Sequence, residues 1–362
     1  MGLLTIDLSA LRDNYSTIKS RVSAGCEVGC VIKADAYGLG AERIAETLYK
    51  QGCRTFFIAK AHEIETLGSL ADDVRVIVLN GYDPESHTYY KHPAMIPTLG
   101  SAYEINAYKS QSTSGEKPCF LKFCTEMNRA GLDEKEWKHI LDNPSALEGL
   151  GLKGLMAHFA CADEPEHPMT HAQYMSFKAI TDSFAQQYDG LERSLSNSFG
   201  LFRDDLYHFD LARPGMAIYG LNPTPYANNP MQNVVDLRLR VIRTRLIQKD
   251  EYTGYGATYR FEKDTPIALL SSGYADGIFR SLSNKGKVYW NGIACPIRGR
   301  VSMDMIVVDL SDVPEDQRPQ SGDMMELIGP NQSADVLAED AGTIGYEILT
   351  ALGDRYERVY KD

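Results

Sequence analysis

An N-terminal (β/α)8 barrel of the TIM type followed by a C-terminal mainly-β domain is the fold this sequence predicts, on three observations. Apolar, strand-like segments alternate with helical patterns eight times through the first two thirds of the 362-residue chain, and that repeat in about this length points to a barrel. No Gly-x-Gly-x-x-Gly opens the first turn, as the competing doubly wound sheet would have it. Beyond about Met231 the pattern changes to short segments of period-two alternation, the mark of half-exposed strands.

A first strand, 3–8, leads into a helix beginning near Ser9. Strand candidates then end near Lys33, Ile58, Leu79, Thr98, Phe123, His158, Asn197 and Leu211, separated by helical stretches such as 41–50, 61–70, 134–141 and 170–188. Because the eight barrel strands begin with the one ending at Lys33, strand 3–8 is free to pair with the second domain. The Pro- and Asn-rich stretch 223–230 marks the boundary, so residues 1–230 form the barrel and 231–362 the β domain. Within the latter, Asp236-Leu-Arg-Leu-Arg-Val241 alternates apolar and charged residues, and strands are expected at 265–271, 287–290, 293–298 and 305–310. Asn291-Gly292 between two such runs is a strong hairpin signal.

Composition narrows the function classes. A net charge of -12 argues against a nucleic-acid partner or an anionic membrane surface. No apolar run approaches the ~18 residues of a membrane span, and the N-terminus lacks a secretory pattern. Seven cysteines without a Cys-x-x-Cys pair, and without histidines at zinc spacing, fit reduced thiols in a cytoplasmic protein with no metal site.

The chemistry is expected where barrel strands end. In Val31-Ile-Lys33-Ala-Asp-Ala-Tyr37-Gly-Leu-Gly40 a buried strand ends in an amine and passes into a turn and a helix start. Desolvation lowers an ammonium's pKa and frees the nucleophile, which suits Schiff-base chemistry; the plainer reading is a solvated lysine past a strand. Strand seven ends in Ser196-Asn197-Ser198 and strand eight runs through Arg213-Pro-Gly215-Met216, where a phosphate commonly binds in barrels. Either piece alone is weak, since Asn-Ser and Pro-Gly are usual in turns. Together with Lys33 they describe a barrel holding a phosphorylated, aldehyde-bearing cofactor, and pyridoxal 5'-phosphate fits.

These segments resemble those of the alanine racemases over nearly the whole chain. The Lys33 segment resembles that family's cofactor-lysine motif, and Leu211-Ala-Arg213-Pro-Gly215-Met216-Ala-Ile-Tyr-Gly220 resembles a second. Met127-Asn-Arg129-Ala-Gly131, Gly254-Tyr255-Gly256, Gly273-Tyr274-Ala-Asp-Gly277, Gly299-Arg-Val-Ser-Met303-Asp304 and Thr343-Ile-Gly-Tyr346 supply the rest. The resemblance implies a cytoplasmic homodimer that racemises alanine, either supplying D-alanine for peptidoglycan or serving alanine catabolism. It implies two bases, Lys33 on one face and Tyr255 of the partner subunit on the other. Tyr37, Ser198, Gly215, Met216 and Tyr346 would contact the phosphate, with Leu79 and Asn197 also at the cofactor. Arg213 would face the pyridine nitrogen and leave it unprotonated, because a guanidinium keeps its own proton. His158 would lie beside the ring. Arg129 would meet the phenolic oxygen and the substrate carboxylate, Tyr274 would stand at the entrance, and Met303 and Asp304 at the substrate. Lys122 occupies the position often carboxylated to a carbamate. Two departures are visible: Cys124-Thr125-Glu126 stands where relatives usually have Asp-Thr-Gly, and Ser302 where many have Cys. The rivals are a racemase of serine or broader range, a barrel-type pyridoxal-phosphate decarboxylase, and a cofactor carrier. The decarboxylases pair the pyridine nitrogen with an acid, where this chain offers Arg213; the carriers lack a second domain.

Overall fold

The computed structural model describes residues 2–69, 71–111 and 117–362. Eight short parallel strands close the barrel. The first is broken at Gly29 into Glu27–Val28 and Cys30–Val31, and Thr55–Ile58, Arg75–Val78, Met95–Leu99, Lys117–Lys122, Leu150–Met156 and Glu192–Ser194 come next in spatial order. The eighth, Leu211–Ala212, pairs in parallel with Glu27–Val28. It is stitched to the seventh by Asp210 N–H to Arg193 O at 3.0 Å and Arg213 N–H to Ser196 O at 2.9 Å. Strand interiors are near-continuous hydrophobic runs such as Thr55–Ile58, buried throughout, as parallel strands covered on both faces must be.

The helices between them begin where side chains can satisfy the first free amides. Ser101 accepts from Glu104 N at 3.2 Å ahead of Ala102–Ser110. Asp133 and Glu136 form a reciprocal capping box ahead of Glu134–Asp142. Helix Ala41–Lys50 buries Ala41, Ile44, Ala45 and Leu48, one face at helical spacing, against the barrel. The segment expected as an ordinary helix at 61–70 differs: Ala61–Leu67 is a 3-10 helix that ends at Gly68, and Leu70 lies outside the described residues. Strand seven stops at Ser194, three residues short of Asn197, which instead caps the short helix Ser198–Arg203.

The second layer is a β domain. Strand Val235–Ile247 is its spine, pairing with Leu3–Asp7, Met324–Ile328 and Thr265–Leu270, and the last of these carries Ile306–Asp309. Leu3–Asp7 also pairs in parallel with Glu357–Lys361, so both chain ends are built into this sheet rather than the barrel. Lys287–Trp290 and Ile293–Pro296 form the expected hairpin. Asn291 and Gly292 turn it with φ of 50° and 82°, the left-handed pair that a two-residue turn between twisted strands requires. Two helices, Ala334–Ala341 and Gly345–Thr350, pack back toward the barrel mouth.

Candidate active site

The first barrel strand delivers Lys33 to the mouth, and the turn after it has an uncommon backbone. Ala34, Asp35, Ala36 and Tyr37 all have φ between 51° and 58°, four successive left-handed residues with no glycine among them. Each such residue costs ~1–2 kcal/mol relative to the right-handed form, so surrounding bonds must hold them. Ala36 N–H donates to Ile32 O at 2.9 Å and Gly40 N–H to Asp35 O at 3.0 Å. Asp35 Oδ1 accepts from Ala41 N at 2.8 Å, which joins the turn to the next helix. The turn swings Tyr37 back over the end of strand one, where its ring lies 4.8 Å from that of Tyr219 and 5.8 Å from that of Tyr346.

A cavity of about 140 Å³ opens at the strand ends. Lys33, Tyr37, Leu79, Arg129, His158, Asn197, Ser198, Arg213, Gly215, Met216 and Tyr346 all line it, as does Lys122. At one end stand hydroxyls and backbone amides: Ser198 Oγ accepts from Gly215 N at 3.1 Å and from Ala217 N at 3.4 Å. A side chain at Gly215 would put its Cβ 2.4 Å from Tyr37 Oη, so only glycine lets the backbone and this hydroxyl share the space. At the other end Arg213 is buried, with no carboxylate among the described residues paired to it. Its guanidinium donates to Ser194 Oγ and to Ala157 O, each at 2.7 Å, and to Leu195 O at 3.3 Å. Its Nη2 also lies 3.2 Å from His158 Nδ1. A guanidinium can only donate, so Nδ1 is the acceptor and the proton of the neutral imidazole sits on Nε2.

The electrostatics arise from crowding cations in a closed space. Burial, with Arg129 nearby, holds the Lys33 ammonium below its ordinary range, and Glu63 partly offsets this. Burial together with Arg213 and Arg129 lowers Lys122 to about 8, with Glu104 opposing. Lys122 Nζ donates to Leu79 O at 3.1 Å. Burial and the same arginines press His158 well below its usual value, and burial alone lowers Arg213 to about 9, still cationic at neutral pH. The donor set is an amine able to lose its proton, a cluster of hydroxyls and amides at one end, and cations along one wall. It fits an anionic, phosphorylated aldehyde such as pyridoxal phosphate.

Tyr255, Tyr274, Met303 and Asp304 do not line this cavity. They lie on the β domain, where the loops carrying them pack together: Tyr274 N–H donates to Ser302 O and Ala275 N–H to Met303 O, each at 3.0 Å. A Cβ at Gly254 would lie 3.1 Å from Arg300 N, which places the Tyr255 turn beside the same loop. Tyr255 is 74 % exposed and Met303 53 %. Asp304 is paired with Arg355 at 2.9 Å, and Arg355 also reaches Asp276 at 3.2 Å. Sequence reasoning passed over Asn80, which lines the cavity one residue after Leu79, and Glu63, whose carboxylate binds the backbone beside Lys33. Position just past a strand end was the available signal for Asn80; nothing local pointed to Glu63.

The sequence matches the alanine racemase N-terminal domain over residues 6–223 and the alanine racemase C-terminal domain over 234–360. It is 43% identical over 359 residues to the alanine racemase of Acidiphilium cryptum, covering 99% of this chain and 98% of that protein. It is 41% identical over 362 residues to the catabolic alanine racemase of Agrobacterium fabrum, covering 99% and 92%. Among solved structures, the alanine racemase of Bartonella henselae with covalently bound pyridoxal phosphate superposes with a TM-score of 0.93 at 38% identity, covering 99% of both chains. The biosynthetic enzyme of Pseudomonas aeruginosa superposes with 0.91 at 31% identity, covering 100% of this chain and 99% of that one.

Proposed function

The chain belongs to the alanine racemase family, pyridoxal-phosphate-dependent isomerases, and we propose that it interconverts L- and D-alanine by two bases drawn from two protomers. The observation that carries this reading is that only one of the two candidate bases of a single chain lines the cavity. Lys33 lines it, while Tyr255 is 74 % exposed and does not.

In this reading, residues 1–230, save strand 3–8, hold the cofactor with Tyr346 joining from the β domain, and residues 231–362 supply the second base. Lys33 is the attachment point. Tyr37, Ser198, Gly215, Met216 and Tyr346 would bind the phosphate, Leu79 and Asn197 would also lie at the cofactor, and Arg213 would face its pyridine nitrogen. When bound, the cofactor supplies an electron sink for the pair left as the α-proton departs. Lys33 Nζ accepts or returns that proton on one face of the substrate, and Tyr255 Oη of the partner subunit does the reverse on the other. One proton leaves and one arrives, so the configuration inverts without net change. A phenol normally titrates near ~10; a hydrogen bond from His158 Nε2–H to the phenolate oxygen would favour its ionised form. Arg129 orients the substrate carboxylate, with Tyr274, Met303 and Asp304 of the partner subunit around it. The patch formed by Tyr252, Tyr255, Tyr274, Met303 and Met305, each at least 40 % exposed, is the face expected to meet a second copy.

Lys122 completes the charge balance. Lowered to about 8, its amine is partly neutral at physiological pH and can add to carbon dioxide, releasing one proton and leaving a carbamate anion beside Arg129. A carbonyl signal from 13C-bicarbonate, lost in Lys122→Met, is the expected result.

The deciding experiment is chiral chromatography of the purified protein incubated with L-alanine, with L-serine and L-lysine in parallel. D-alanine approaching a one-to-one mixture, with serine slow, is expected. Dominant D-serine or D-lysine would overturn the substrate and keep the mechanism. No D-product from cofactor-loaded protein would overturn the reading.

A further inference from the structure

We propose that Glu63 is a positioning residue for this site, a single carboxylate that clamps the backbone after Lys33 to the end of the neighbouring barrel strand and so holds the turn that aims Lys33 and Tyr37 into one cavity. The proposal rests on the reading of Lys33 as the cofactor's attachment point.

Glu63 sits in the 3-10 helix Ala61–Leu67, which comes after barrel strand two. Its Oε2 accepts from Ala59 N at 2.6 Å and Lys60 N at 3.2 Å. Those bonds alone would make it an ordinary acid capping the start of its own helix. Its other oxygen leaves that segment. Glu63 Oε1 accepts from Ala34 N at 3.0 Å, the amide directly after Lys33 and the first of the left-handed run. Ala34 lies in the first turn after Lys33, where a helix offers its amides no acceptor of its own, and Glu63 supplies one from the neighbouring strand end. Three amides on two strand ends therefore converge on one carboxylate. Asp35 secures the far end of the same turn through Ala41 N at 2.8 Å. Lys33 directly precedes the first anchor and Tyr37 lies between the two, and both side chains line the cavity.

Charge supports the geometry. Lys33 shares its cavity with Arg129, Lys122, Arg213 and His158, and Glu63 is the acid that raises the lysine against burial and Arg129. A glutamine of the same shape would keep one acceptor oxygen and lose both the charge and the second acceptor, and its amide group would meet an N–H where a lone pair is needed.

Hydrogen–deuterium exchange on the cofactor-free protein, read by mass spectrometry, tests the clamp, with the rate of pyridoxal-phosphate attachment read by absorbance at a temperature well below the Tm. Glu63→Gln is expected to speed exchange across 33–41 about tenfold or more, and to slow attachment by a similar factor, as loss of a charge-assisted hydrogen bond would. Exchange elsewhere in the barrel should stay close to wild type. Unchanged exchange at 33–41 and unchanged attachment would overturn the proposal, even if the Tm fell, because a purely structural capping role predicts that pattern. The unmodified chain gives an independent check should the variant not fold. The Ala34 amide must be protected to the degree of the Ala59 amide, and an unprotected Ala34 amide overturns the clamp. If the wild-type protein takes up no pyridoxal phosphate, the proposed function fails, while Ala34 protection still reports on Glu63.

Discussion

The mouth of the barrel and the tyrosine-bearing face of the β domain are built on opposite principles. In the barrel, Lys33, Lys122, His158 and Arg213 share one cavity; burial loosens the protons of all of them, and repulsion from neighbouring cations adds to it at Lys33, Lys122 and His158. On the β domain, Tyr255, Tyr274 and Met303 project into solvent from loops stitched to each other but to no cavity. One region is enclosed by its own chain, with an amine, hydroxyls and backbone amides around one cavity. The other exposes large apolar and aromatic side chains to solvent. Under the proposed two-base reading the two regions meet only between protomers, so the first can be tuned from within the chain while the second would depend on assembly.

The sharpest way to break that comparison is to remove one base from each region. Lys33→Ala is expected to lower turnover by about 10⁴-fold or more and to release the cofactor on dialysis. Tyr255→Phe is expected to slow both directions by ~10²–10⁴-fold, the range for a lost general base, while the cofactor absorbance stays. Equal loss of cofactor in both would contradict the division of labour. Mixing the two inactive variants and exchanging subunits tests it further. If Tyr255 acts across the interface, half of the dimers become hybrids with one intact site, and roughly a quarter of wild-type activity returns; no recovery would put both bases in one chain.

A smaller effect is expected from filling the cavity wall. Gly215→Ala brings a Cβ to 2.4 Å from Tyr37 Oη and 3.3 Å from Val31 Cβ. It should destabilise the protein by about 1–3 kcal/mol, as overpacking does, and weaken cofactor affinity measured by absorbance titration. Unchanged affinity would remove Gly215 from the phosphate end.

The smallest effect concerns Lys122 in the cofactor-free protein under carbon-dioxide-free buffer. Its folded value of about 8 lies below the ordinary 10.5, so between those pH values the unfolded chain binds more protons. Stability from this group therefore rises with pH through that window, and below about pH 8 the full penalty of a buried ammonium applies. Lys122→Met should raise the Tm more at pH 7 than at pH 10. An equal rise at both would show that the ammonium is not strained by burial.

Much of this molecule is written locally. The eight barrel strands are apolar runs at regular spacing, Asn291-Gly292 names its own hairpin, and Lys33, Arg213 and Gly215 stand out because each sits at a strand end in an informative string. Local reading went astray where a local preference lost to a neighbour. Residues 61–67 tighten to a 3-10 helix with a carboxylate turned toward another strand, and strand seven stops early so that Asn197 can cap a helix.

The sequence by itself determined the alternation of elements, the pairing-competent strand at the N-terminus, and which residue types stand at the strand ends, because periodicity and turn chemistry act over a few neighbouring residues. Only the tertiary structure decided the rest. Four left-handed residues without a glycine go against every local preference, and they persist because Glu63, Asp35 and the backbone of strand one bind them, the first of these from a position distant in sequence. The loosened protons of Lys33, Lys122 and His158 likewise arise from burial beside cations brought in from strands far apart in the chain, an effect of closeness in space that no stretch of sequence contains.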